Sequence, residues 1–495
     1  MNLLFLMIFA SFLSTPIIYI LGRSLGKKVS YAVFTVLLLS TIYFGAIMPL
    51  MEHETYKQEI NWVIAPVELK LGFLADGLSV PMTFTFVFVS AFTALFSAPY
   101  MERRLRQDDI DENNGQYAKF YTCFLIYVLS VAGSMLSTNL IEFYVFFEVA
   151  LVFSWLLVLY FGYGDRQRNS LLYFLWTHIG GGVLLLGILG VYWITGSFEI
   201  ADLVNISGYQ GAFWVGLAIA LGLFVKIGAL GFHGWMPDTY SESPAPVSAI
   251  LGATSVMLST YSLARLMPPF QEVLFGVSKW FMVWALATIL YAGIMALVQK
   301  DTKRLVAYLS MSQMNYCVLG VFTFAPYGVL GAVSYSISHG LAIGLLFLVS
   351  GALLYRTNSR DMDEMGGLSE RLPIVILATL AGFLTIGGVP PAVGFKSKFI
   401  LLSGAMVRGF ETTAVELAVA ILAGSLATLI TLAYEFRTVW RIFYGQIPDS
   451  LKEVEMVPTS MAITLLALGS LAIIFGIWPA LFTNPLEVFI EHIFH

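Results

Sequence analysis

The chain has 495 residues, 58% of them hydrophobic and only 12% charged. Soluble domains carry about 25% charged residues, so this composition excludes an ordinary soluble protein and points to an all-α, polytopic membrane protein. The net charge of −5 weighs little because the charges sit mostly in loops. There is no basic stripe for nucleic acid.

A helix needs about 20 apolar residues to cross a hydrocarbon core. That ruler predicts fourteen spans, at roughly 3–22, 30–50, 76–98, 117–136, 140–162, 170–194, 212–234, 247–265, 281–299, 305–325, 329–354, 373–405, 414–436 and 457–481. The first apolar run has no charged leader and no small-residue cleavage site, so it reads as a span and not a signal peptide. The longest polar stretches are Glu52–Glu59 and Glu102–Gln116. Cys123 and Cys317 lie in separate apolar segments with no metal-binding spacing, so no haem, iron–sulfur cluster, zinc or other cofactor is expected.

Basic residues divide unequally between the two sets of loops. Seventeen fall in the set holding Lys27, Arg103, Arg166, Lys300, Arg360 and Arg441, and five in the other. Basic loops face the cytoplasm. Both termini are therefore expected outside a cell membrane, the inner membrane in a prokaryote.

Two spans are interrupted. The seventh carries Lys226 and then Gly228 and Gly231. The twelfth carries Gly387, Gly388, Pro390, Pro391 and Gly394, followed by Lys396 and Lys398. A broken helix at membrane depth survives only where protein or a water-lined cavity satisfies its backbone. An intramembrane lysine marks an ion path by default. Breaks at corresponding places in two halves point to the transport site. The seventh and twelfth spans correspond if the fourth to eighth and ninth to thirteenth spans form two inverted five-helix repeats. The expected divisions are a three-helix segment (1–98), a first repeat (117–265), an inverted second repeat (281–436) and a last helix (457–481).

Glu148 lies nine residues into the fifth span, about 13 Å deep at 1.5 Å per residue. A carboxylate there needs a partner, and Lys226 is the expected one, either as a switchable pair or as a buried pair that only fixes packing. Glu142, nearer the outer interface, reads as a solvated helix end. Lys396 and Lys398 are two residues apart and cannot share a helix face. His178, His233 and His339 stand in apolar context. Each is a candidate proton relay or a satisfied core histidine, and His233 equally a loop anchor. Asp165 and Asp301 stand where helix caps belong.

Several of these residues sit in longer motifs. They are Phe146-Phe147-Glu148, the stretch Phe232–Asp238 (FHGWMPD), Ser243–Ala249 (SPAPVSA), Asp301–Met314 (DTKRLVAYLSMSQM), Asp363–Leu368 (DEMGGL) and Gly388–Phe395 (GVPPAVGF). Over about residues 70–445 the chain resembles the antiporter-like subunits of respiratory complex I, Mrp-type Na⁺/H⁺ antiporters and membrane-bound hydrogenases. The resemblance implies fourteen helices, two inverted five-helix repeats, and proton translocation along a central polar axis. It assigns Glu148, Lys226, His339 and Lys398 to that axis; His178, His233 and Lys396 stay relay candidates on the reading of the residues alone. Two positions depart from the family pattern. Met257 and Ile343 stand where many members carry lysines. Because it stops soon after the fourteenth span, the chain resembles the shorter, D-type class.

The expected function is a proton-translocating or Na⁺/H⁺-exchanging subunit of a larger membrane complex, with no catalytic centre of its own. Its partners would be other membrane subunits, lipid, and H⁺ alone or H⁺ with Na⁺. An autonomous ion or solute transporter and a structural subunit with a decayed path are the alternatives.

Overall fold

A computed structural model of the chain describes residues 3–63, 69–107 and 114–494. The helices run in chain order as α1 (Leu3–Leu25), α2 (Val29–Ile47), α3 (Ser79–Gln107), α4 (Asn114–Leu136), α5 (Leu140–Phe161), α6 (Arg166–Thr195), α7 (Ala212–Ile227), α8 (Met236–Glu242), α9 (Ala245–Leu266), α10 (Gln271–Val298), α11 (Thr302–Val321), α12 (Pro326–Thr357), α13 (Pro373–Gly387), α14 (Gly394–Glu411), α15 (Ala414–Leu422), α16 (Thr428–Phe443), α17 (Thr459–Ile477) and α18 (Ala480–Phe494). Ten helical stretches among the described residues are long and apolar enough to cross a membrane, and the first, Leu4–Glu52, holds both α1 and α2. Helix α11 falls outside that set. It carries Ser310, Ser312, Gln313 and Asn315 among its apolar residues, and all four are buried. A helix of that polarity needs protein on every side.

Local chemistry sets the helix ends. Asn139, Asp165 and Asp301 each accept backbone N–H groups of the first turn of α5, α6 and α11, as capping side chains do. Helices α7 and α13 end alike. Gly228 (φ 70°, ψ 41°) and Gly388 (φ 71°, ψ 45°) take the left-handed conformation one residue past the helix, where a Cβ is disfavoured. Ala229 and Val389 then donate to the carbonyls of Phe224 and Leu384 at 3.1 and 2.9 Å. The expected span at 373–405 is thus two helices, α13 and α14, and the one at 212–234 holds α7 and its break, with the short α8 following after it.

The molecule is organised around α12. Every side chain from Gly328 to Leu353 on this 32-residue helix is buried, against α9, α14, α11, α13 and α3. Glycines allow the closest crossing: a Cβ at Gly331 would collide with the backbone of Leu401 on α14.

The sequence suggested an all-α chain. The structure adds an antiparallel hairpin, β1 (Tyr56–Val63) and β2 (Leu69–Ala75). A ruler of 20 apolar residues does not register strands of only eight and seven residues. The hairpin covers the start of α5, and Gly72 N–H donates to Glu142 Oε2 at 3.1 Å. Glu142 is therefore buried, not a solvated helix end. Next to the hairpin, Asp76 accepts from Arg265 and from the backbone of Leu78 and Ser79. Burial works to raise the Asp76 carboxyl, but the Arg265 guanidinium and the Ser79 bonds outweigh it, so its pKa lies below the ordinary carboxylate range.

Contacts tie the loops into two opposite faces. On one, Phe5 N–H meets Gln58, the hairpin meets Ser137, and α18 packs on the turn at Met48–Glu52. On the other, Lys27 pairs with Glu102, Tyr163 N–H meets the Glu242 carbonyl, Arg360 pairs with Glu242 and Asp301, and Gly367 N–H meets the Tyr444 carbonyl. The loops richest in basic residues share this second face.

Gly331→Val should overpack the α12–α14 crossing and lower stability by about 1–3 kcal/mol. Gly276→Ala on α10, where a Cβ would meet nothing within 4 Å, should leave stability unchanged or slightly raised. Thermal melting of the purified complexes compares the two.

Candidate functional site

Lys226 occupies the last turn of α7, just before the left-handed glycine. Its residue is 6% exposed, and its ammonium sits 3.8 Å from the centre of the Phe147 ring. A helix C-terminus carries about half a negative charge, and an aromatic face attracts a cation. Lys226 is held by both. The sequence suggested a Glu148–Lys226 ion pair, but the structure pairs Glu148 differently. Its Oε2 lies 3.1 Å from His178 Nδ1 on α6. Lys226 is the electrostatic neighbour of Glu148, with no ion pair between them within 4 Å. The side chains of His178 and Glu148 are 55% and 19% exposed. The pair therefore lies at the outer wall of the helix bundle while Lys226 faces inward.

The break after α7 is satisfied by protein. Leu230 N–H donates to Thr288 Oγ1 at 3.1 Å, Trp284 Nε1 donates to the Leu230 carbonyl at 2.9 Å, and Trp235 Nε1 reaches back to the Val225 carbonyl at 3.1 Å. His233 lies within this break, half-buried. Its Nδ1 accepts from Gly231 N–H at 3.3 Å and its ring meets Tyr291, a loop-anchoring geometry. At the far end of α8, Lys303 Nζ donates to the carbonyls of Ser241 (2.9 Å) and Ser243, and Arg360 donates to Ser241 at 2.7 Å. Burial opposes the Arg360 charge, but Asp301 and Glu242 more than offset this and hold its pKa above the ordinary arginine value. Two cations from the second half of the chain thus clamp the C-terminal end of a broken helix in the first.

The second half has a denser polar cluster. Lys398 on α14 is 4% exposed. Its Nζ donates to Gln313 Oε1 (3.1 Å) and to the Ile386 carbonyl (3.3 Å) in the last turn of α13, and lies 4.3 Å from the centre of the Tyr316 ring. Tyr335 donates to the same two oxygens, at 2.7 and 3.2 Å. Gln313 Nε2 donates to Thr431 Oγ1 and the Tyr434 hydroxyl. Lys396, two residues away, points elsewhere: half-buried, its Nζ is 3.5 Å from Thr483 on α18. Between the halves lies His339, fully buried on α12, with neither ring nitrogen hydrogen-bonded. Met257 packs against Gly340, and Ile343 against Gly252, where α9 crosses α12.

Sequence reasoning did not single out Gln313 or Glu435 as site residues. Gln313 is neutral and stood only inside a motif. Glu435 stood unremarked at the end of the expected thirteenth span. It is buried and faces the break in the twelfth span.

Gly228→Ala should place a Cβ at φ 70°, where it would also meet Met236 Cε at 2.7 Å. The left-handed strain costs about 1–2 kcal/mol and tilts Lys226 out of its seat. The variant complex should melt earlier and translocate ions more slowly, as read by calorimetry and vesicle flux.

Residues 137–431 match the family described as NADH:quinone oxidoreductase/Mrp antiporter, TM, and residues 62–120 match NADH-Ubiquinone oxidoreductase (complex I), chain 5 N-terminus. The chain is 28% identical over 442 residues to F(420)H(2) dehydrogenase subunit M of Methanosarcina mazei, covering 86% of this chain and 84% of that one. A chain of the Mrp complex from Dietzia sp. superposes with a TM-score of 0.83 at 20% identity, over 99% of this chain and 98% of that one. A chain of respiratory complex I from Thermus thermophilus gives 0.82 at 24% identity, over 99% and 100%. With more than half its length inside one family match, and with multiple apolar helices around two broken ones, the chain is a multi-pass membrane protein of the NADH:quinone oxidoreductase/Mrp antiporter transmembrane family.

Proposed function

We propose that this chain is a proton-translocating, antiporter-like subunit of a multi-subunit membrane complex, driven by a redox partner or by an opposing Na⁺ gradient. One observation carries the reading. Two lysines are buried at the ends of half-helices in a bundle of apolar helices, each at a break with the same glycine cap. A buried charge is costly and is retained where it moves charge. The named relatives are subunits of F(420)H(2) dehydrogenase and NADH-quinone oxidoreductase, and of a Na(+)/H(+) antiporter. They support a partner complex of that kind.

The matching caps also support reading the chain as two inverted five-helix repeats, at 117–265 and 281–436, within fourteen spans. In that reading Glu148, Lys226, His339 and Lys398 form the axis, with His178, His233 and Lys396 as lesser relays. Lys226 moves between the Phe147 face and Glu148, and His178 takes or supplies the proton that Glu148 exchanges. Lys398 repeats this motion against Gln313. Unpartnered polar atoms of His339, Ser259 and Asn315 are the groups that bridging waters would use. The basic face is the cytoplasmic one, with both termini outside. Met257 and Ile343 favour a second reading, a structural subunit with a decayed path, since each puts an apolar side chain where a charge would shorten the gap.

Two experiments test this. In proteoliposomes holding the assembled complex, Glu148→Gln, Lys226→Ala and Lys398→Ala should each stop proton translocation, and Lys396→Ala should weaken it less. Normal pumping by an assembled Glu148→Gln complex would favour the decayed path. A cysteine introduced at Arg103 should react with an impermeant thiol reagent only from the cytoplasmic side. Labelling from outside intact cells reverses the orientation.

A further inference from the structure

The thirteenth span is not a regular helix. Helices α15 and α16 are joined by a π-helical turn, Ala423–Ala427. Such turns are rare and gather at functional sites. This one leaves the Ala423 carbonyl to accept the Tyr316 hydroxyl at 2.9 Å and Thr428 Oγ1 at 3.2 Å. Tyr316 is the ring beneath the Lys398 ammonium. Past the π turn, α16 presents Thr431 and Tyr434 to Gln313 and, one residue further, Glu435 to the break between α13 and α14.

Glu435 is 6% exposed, and its Oε1 has no hydrogen-bond partner. Its Oε2 rests against Gly387, where an added Cβ would stand 2.7 Å away. At Gly388 an added Cβ would stand 3.2 Å from Lys398 Cδ. Adjacent glycines of one break therefore admit a carboxylate and a lysine stem. Among the described residues, Lys398 is the charge that acts on Glu435, yet the ammonium is seated on Gln313 and the Ile386 carbonyl, not on the carboxylate. A purely structural role explains this poorly. An unpaired buried carboxylate destabilises, and an apolar side chain of similar size would pack there at less cost.

We propose that Glu435 is the proton-exchanging carboxylate of the second half, the counterpart of Glu148, and that Lys398 shuttles between Gln313 and Glu435. The inference rests on the translocation function proposed above. When Lys398 reaches Glu435, an N–H bond of its ammonium breaks and an O–H bond forms on the carboxylate. A neutral amine and a neutral acid result, with no other reactant, and the reverse transfer restores both charges. The Tyr316–Ala423 bond is the positioning device, because it ties the ring under Lys398 to the π turn that aims Glu435.

The test compares Glu148→Gln, Glu435→Gln and Glu435→Asp complexes in proteoliposomes, with subunit content checked by co-purification and proton uptake read with a pH-sensitive dye. Loss of uptake in Glu435→Gln equal to that in Glu148→Gln, with partial recovery in Glu435→Asp, supports the proposal. Normal uptake in Glu435→Gln beside a dead Glu148→Gln overturns it and leaves the function standing. Normal uptake in both overturns the two together. If Glu435→Gln does not assemble, Glu435→Asp carries the test by infrared difference spectroscopy on energisation. A carboxylic-acid band that shifts in the Asp variant supports the proposal, and an unshifted spectrum overturns it.

Discussion

The structure depends on how a helix bundle holds two ammonium groups away from water. In both halves the answer is a helix that stops early. Helix α7 ends one residue past Lys226, and α13 ends where Lys398 reaches back across the break to the Ile386 carbonyl. A helix that stops in the core exposes carbonyls and half a negative charge; Lys398 donates to one such carbonyl at Ile386, while after α7 the Val225 and Leu230 carbonyls are taken by Trp235 and Trp284. Aromatic faces complete each seat: Phe147 for Lys226, and Tyr316 for Lys398.

Neither lysine is ion-paired in this structure, although a carboxylate acts on each from nearby. Glu148 is engaged with His178 and Glu435 stands apart. A fully closed buried pair is deep and slow to open, and such pairs often contribute little net stability. Two seats of comparable energy suit a charge that must move. The clamp of Lys303 and Arg360 on the end of α8 ties a broken helix of one half to α11 and a loop of the other.

The two halves are unequal where they meet. His339 is the one histidine on α12, and Met257 and Ile343 put apolar side chains near it along the α9–α12 crossing. Charges about 10 Å apart at an effective dielectric near 20 still interact by roughly 1.7 kcal/mol.

The sequence by itself determined the membrane class, most of the spans, the two breaks and the lysines beside them. These features are local: apolar runs, glycine and proline clusters and lone charges need no partner to be recognised. The caps at Asp165 and Asp301 are local in the same way. Only the tertiary structure decided which groups meet. Spacing along the chain placed Lys226 near Glu148 in depth, but helix rotation put His178 on the carboxylate and Phe147 under the lysine. Lys396 and Lys398 were separable by face, but which one faced the core depended on α14 packing against α12 and α18 packing beside Lys396. Glu435 and Gln313 were illegible because their roles come from a π turn and a crossing more than 100 residues away in sequence. The hairpin and buried Glu142 escaped notice for a related reason. Short strands carry little signal of their own, and a carboxylate near a helix end looks solvated until the segment that covers it is in place.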